Sequence, residues 1–189
     1  HFGGSGVDLW GRVIRELPAE IYLQTKVYHA DCQPDARFST LLCQEAPHTT
    51  IAEYQITGQT TGRFYYPAST VNHPAWTMKK THELIGGQGG VCLFLGGTRQ
   101  ADYSLLNDIA NSINVYAWRE LSWDVNVNLD KVWKDWAEPI YGAKAAARMI
   151  KALQLSEDAA NKTFSTLGMG SETNSGFAGN VARRETLLK

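Results

Sequence analysis

The chain has 189 residues, is 43% hydrophobic and 20% charged, and carries a formal net charge of -1. That is enough chain for one domain with a full core, or for roughly one and a half small ones, and the make-up is that of an ordinary globular protein. The charge balance and the lack of a basic stripe exclude a nucleic-acid binder, and no apolar run is long enough to cross a bilayer.

The three cysteines, Cys32, Cys43 and Cys92, are odd in number and show no C-x-x-C spacing. A disulfide framework and a structural zinc site are therefore not expected, and no metal or other cofactor is implied. No signal peptide opens the chain, and the cytoplasm and the periplasm both stand as expected compartments. The chain starts at His1 without an initiator methionine, which fits a processed chain, an expressed segment or a fragment. Six Trp and eight Tyr make it rich in aromatic faces, which either fill a core or stack on sugar rings.

Residues 7–17 place Val7, Leu9, Trp10, Val13, Ile14 and Leu17 at amphipathic-helix spacing, and Pro18 stops the helix. Residues 19–27 then alternate as a strand. Ile21, Leu23 and Val27 share one face, and Glu20, Tyr22, Gln24 and Lys26 share the other. That polar face either meets solvent or lines a working lumen. Residues 28–37 read as a loop. Residues 49–57 repeat the pattern, with Glu53, Gln55 and Thr57 opposite Ala52, Tyr54 and Ile56. A helix over 73–85 has Pro74 in its first turn, and the glycines of 86–90 end it. VCLFL at 91–95 reads as a third, buried parallel strand.

After Gly97 the pattern becomes helical. Helices are expected over 105–121, over 128–142 and over 143–168. The second is capped by Asn126 or Asn128 and closed near Pro139 and Gly142, and the third is broken near Leu155–Ser156. The division expected is an α/β region over 1–100 and a helical region over 101–189. Strands alternating with helices imply a parallel sheet, and long loops after strands are typical of barrel enzymes.

Two residues stand where such enzymes keep their chemistry. Lys26 ends the polar face of the first strand, as a point charge for an anionic group or as a surface lysine. Asp31 follows the strand, as a catalytic carboxylate or as a turn residue. The glycines of 86–90 lack the context of a phosphate loop. Asn161-Lys162-Thr163 fits a glycosylation sequon but falls within a helix.

The segment LQTKVYHADCQPD resembles the α-glucuronidases of glycoside hydrolase family 67, through Leu23, Gln24, Lys26, Asp31, Gln33 and Pro34. AEYQITGQTTG at 52–62 is similar to a later segment of that family, through Glu53, Gln55, Ile56, Thr57 and Gly62, at matching spacing. IANSINVYAWRELSWD at 109–124 is similar to a third, through Asn114, Tyr116, Ala117, Leu121, Trp123 and Asp124.

The resemblance implies the last strands of a TIM (β/α)8 barrel followed by an all-α C-terminal region. It implies inverting hydrolysis of α-linked glucuronic acid or 4-O-methyl-glucuronic acid on xylan-type oligosaccharides. Lys26 would contact the uronate carboxylate, and Asp31 would act as the general base or help it. The family's second basic carboxylate falls on Gln59, which cannot take a proton, so Glu53 is the candidate to assist. His29 stands beside Asp31 where the family has a different loop, either as a surface histidine or as an added polar group for the pocket. Asp102 matches an aspartate that follows the third strand, and is otherwise a first-turn helix residue. The family's general acid lies on an earlier strand, outside this chain. The partners implied are an oligosaccharide and a second copy, docked through the helical region on the face of Trp133 and Trp136. The contrasting reading is an inactive barrel remnant that serves as a dimerisation or interaction module.

Overall fold

The computed structural model describes residues 5–27, 48–55, 69–86, 91–94 and 109–164. Their elements run α1 (Ser5–Glu16), β1 (Leu23–Lys26), β2 (Thr50–Gln55), α2 (Asn72–Ile85), β3 (Val91–Phe94), α3 (Ser112–Trp123), α4 (Leu129–Tyr141) and α5 (Ala143–Phe164). The described residues thus form a mixed α/β structure with mostly helical content and a small parallel sheet.

The three strands lie in the order β1-β2-β3, and both pairings are parallel. Leu23 is level with Thr50 and Lys26 with Glu53, while Ala52 is level with Val91. The ladder extends past β1, because the Val27 amide donates to the Glu53 carbonyl at 3.1 Å. The expected alternation is observed within β1 and β2, except that Ile21 lies ahead of β1 and is exposed, while Ile56 and Thr57 lie outside the described residues. Thr25 and Val27 are buried from β1 and Thr50, Ala52 and Tyr54 from β2, whereas Gln24 and Lys26 face outward.

β1 is shorter than the nine residues the pattern suggests. The Ile21 amide donates to the Pro18 carbonyl at 3.0 Å, so residues 18–21 form a turn before the strand can begin. α1 ends ahead of Pro18, whose ring cannot enter a helix interior.

The buried face of the sheet packs on α2 and α3. Val27, Ala52 and Tyr54 meet Met78, Trp118 and Leu121 in one apolar cluster. The Tyr54 and Trp118 rings lie 5.0 Å apart at a tilt of 47°, close enough for edge and face to attract beyond the area they bury. Burial pushes the Tyr54 phenol up to about 12, against the pull of its hydrogen bond with Thr81.

A second cluster joins the helices, built from Ile113 and Ala117 of α3, Val132, Trp133, Trp136 and Ala137 of α4, and Ala146 and Leu153 of α5. α3 therefore presents one side to the sheet and another to the helical layer. Trp133 and Trp136 are 2% and 4% exposed, and their rings meet edge-on at 6.2 Å. Both indoles fill the chain's own core, which corrects the expectation that they form a docking face.

The helix ends follow their chemistry. Asn128, not Asn126, caps α4, its Oδ1 accepting from the Lys131 amide at 3.1 Å. Pro139 lies inside the last turn of α4, and the helix stops at Gly142, where φ is 73°. Only a residue without Cβ adopts that conformation at little cost. Gly86 closes α2 in the same way, with φ 71° and its amide donating to the His82 carbonyl at 2.9 Å. α5 runs from Ala143 to Phe164 without the expected break near Leu155–Ser156. Ser156 is accommodated because its Oγ donates back to the Leu153 carbonyl at 2.6 Å. α3 begins at Ser112, and residues 105–108 lie outside the described residues.

Candidate functional site

The polar side of the sheet is built by register. Lys26 ends β1, and Glu53 stands level with it in β2. Both belong to the strand parity that faces away from the core, so their side chains emerge on the same side. Lys26 Nζ lies 4.0 Å from Glu53 Oε1. Gln24, one outward position back along β1, donates from Nε2 to Glu53 Oε2 at 2.9 Å. One carboxylate is thereby held through both oxygens by two side chains of the neighbouring strand.

The three groups differ in access. The Lys26 side chain is 69% exposed and that of Glu53 23%. At 4.0 Å the ion pair is looser than a direct hydrogen bond, and an exposed pair of that kind adds little stability. The ammonium can turn toward an anionic group in solution at small cost. Glu53 is held more firmly, since the Gln24 amide donates at a normal hydrogen-bond distance. The place is also apt: the carboxyl ends of parallel strands are where α/β proteins gather ligand-binding groups.

Of the other sequence candidates, His29, Asp31, Gln59 and Asp102 lie outside the described residues. The structure thus brings together Lys26 and Glu53 and adds Gln24, which sequence reasoning placed on the polar face without giving it a role. Its signal was present, because Gln24 has the same strand parity as Lys26 and sits two residues before it. Among the described residues, no group of three His, Cys, Asp or Glu side chains could hold a metal ion. Among them, too, no helix is long and apolar enough to cross a membrane.

A second polar cluster is buried and structural. The segment Ser69–His73 enters α2, and its amides are taken up by side chains from α3 and α5. The Ser69 amide donates to Ser156 Oγ at 3.2 Å and the Thr70 amide to Asn114 Oδ1 at 2.7 Å. Glu157 Oε1 accepts from the amides of Asn72 at 3.0 Å and His73 at 3.1 Å, and Oε2 from Asn72 Nδ2 at 3.0 Å. Pro74 has no amide hydrogen, so the donors at the first three positions of α2 are fully accounted for.

Glu157 is 2% exposed. Burial pushes its carboxyl above the usual range, against the opposing pull of the Asn72 and His73 amides. Burial likewise pushes the His73 imidazole down to about 4. The acceptors of Glu157 are spent on the fold, so this carboxylate ties α5 to α2 and offers nothing to a substrate.

No protein-family model matches the chain, and a search of curated proteins returns no match.

Proposed function

We propose that the chain is part of a glycoside hydrolase acting on α-linked glucuronic acid, with Lys26 receiving the uronate carboxylate. The observation that carries this reading is the Lys26–Glu53 pair, with Lys26 at the carboxyl end of β1, Glu53 level with it in the parallel β2, and Gln24 bracing it. These residues come from the two segments that resemble family 67 α-glucuronidases, and the parallel pairing puts the segments side by side, as that resemblance requires. A cation at a strand end answers an anionic sugar, and a nearby carboxylate answers the need to activate water.

In this reading the sheet belongs to a (β/α)8 barrel, and substrate enters from the polar side. Asp31 follows Lys26 and takes the proton from the attacking water. Gln59 replaces a second basic carboxylate, so Asp31 carries the base role with Glu53 near by. Glu53 itself is engaged by Gln24 and Lys26, which suits it to positioning more than to proton transfer. The general acid comes from outside this chain. The oligosaccharide substrates are 4-O-methyl-glucuronyl or glucuronyl side chains of xylan type. The reading includes self-association through the helical region. With Trp133 and Trp136 internal, the large exposed apolar side chains of that region among the described residues are Ile109, Trp123, Ile140 and Leu155.

The test is to incubate the full-length protein with α-1,2-glucuronyl xylo-oligosaccharides and follow free uronic acid. Release of the α-anomer's inverted product supports the reading. An oligosaccharide that stays intact while the protein remains folded overturns it.

A further inference from the structure

His48 lies just ahead of β2 and is 7% exposed. Its Nε2 is 2.8 Å from the Ile14 carbonyl oxygen, and its Nδ1 is 3.3 Å from the Ile21 carbonyl oxygen. A carbonyl oxygen only accepts, so each contact requires a hydrogen on the ring nitrogen. A neutral imidazole carries one such hydrogen and an imidazolium carries two. The pair of contacts is therefore complete only in the charged ring.

The partners make this ring a junction. Ile14 lies in the last turn of α1, where carbonyls lack helical partners and carry the negative end of the helix dipole. Its carbonyl also takes the Leu17 amide at 3.2 Å. Ile21 sits in the turn before β1, where its own amide donates to the Pro18 carbonyl at 3.0 Å. Beside the ring, the Leu23 amide donates to the Thr49 carbonyl at 3.0 Å, which starts the sheet ladder. One imidazole thus closes the α1–β1 connection against the start of β2. The charged residues on the bridged segments are Arg12, Arg15 and Glu16 near the end of α1, Asp8 in its first turn, and Glu20 ahead of β1. Arg12, Arg15, Glu16 and Glu20 are exposed, so their fields reach the ring largely screened.

We propose that His48 is a proton-operated clasp on the α1–β1 connection. With both nitrogens protonated it holds the Ile14 and Ile21 carbonyls together. On losing a proton it keeps the shorter bond to Ile14 and releases Ile21, and residues 17–22 loosen. Histidine is the side chain whose charge ordinarily changes between pH 5 and 8, which sets the interval to probe.

Amide hydrogen exchange, corrected for the intrinsic pH dependence of the rate, reads the effect at Ile21 and Leu23. Protection at these amides is expected to fall at least about fivefold between pH 5.5 and 7.5, matching the loss of one buried hydrogen bond. His48→Gln does not titrate and has one donor nitrogen in place of two, so its protection should be low and constant over the same interval. Should that variant fail to fold, proton–nitrogen spectra of the wild-type ring decide. Two slowly exchanging ring N–H signals at pH 5.5, with the Nδ1 signal gone at pH 7.5, support the clasp. Constant wild-type protection, or a ring with one N–H throughout, overturns it.

Discussion

Lys26 and Glu53 are level in the parallel ladder, and their side chains meet at 4.0 Å on the side of the sheet turned away from the core. The pair is too exposed to matter much for stability. Lys26→Ala should change the unfolding free energy by no more than about 1 kcal/mol. In the proposed uronate site it should instead raise KM for charged oligosaccharides while leaving kcat close to the wild type, since it removes binding shared by ground and transition states. Thermal melts and steady-state kinetics on the same preparation separate a binding lysine from a purely structural one.

Glu157 and Asn114 should behave in the opposite way. Both are buried, at 2% and 0% exposure, and both accept from the amides that lead into α2. Glu157→Ala strands the Asn72 and His73 amides and should cost about 3 kcal/mol, and Asn114→Ala should cost about 2 kcal/mol. Denaturant unfolding with an unchanged m-value would confirm the loss as one of native contacts. A cost below about 0.5 kcal/mol in both variants would mean that water replaces these acceptors freely.

His73 sets a pH dependence with a definite sign. Its imidazole is held down to about 4, below its ordinary value of 6.5. The folded state therefore binds fewer protons than the unfolded state between these values. Stability from this group is fully present above pH 6.5 and is lost as the pH falls toward 4. Glu157 works the other way, because its carboxyl is raised. Its contribution is present below the ordinary value of 4.5 and is lost as the pH rises through the shifted value. Melting temperatures of His73→Gln should accordingly fall less than those of the wild type from pH 6.5 to 4. A parallel decline of both proteins would remove His73 from the account.

Much of the architecture was legible because strand alternation is a local signal. The parity of Thr25 and Val27, and that of Ala52 and Tyr54, follows directly from which residues are apolar, and the long separations between strands pointed to parallel pairing. Helix ends were legible in part. The expected close of α4 near Pro139 and Gly142 is where it ends, with Pro139 in the last turn and Gly142 as the cap. Ser156 reads as a break, yet its hydroxyl is satisfied within α5 and against Ser69. The role of Trp133 and Trp136 depended on which helix packs on which, and composition carries no information about that. At the site, the order of Gln24, Lys26 and Glu53 along two strands gave their common side. The bond from Gln24 to Glu53 depended on register, which no single segment contains.

The uronate-hydrolase reading rests most directly on Asp31 as the base. The decisive measurement is kcat for uronic acid release from an α-1,2-glucuronyl xylo-oligosaccharide by the full-length protein and by its Asp31→Ala variant. The account predicts a loss of at least about a hundredfold, as for removal of a general base. An unchanged kcat in a folded Asp31→Ala protein would contradict it.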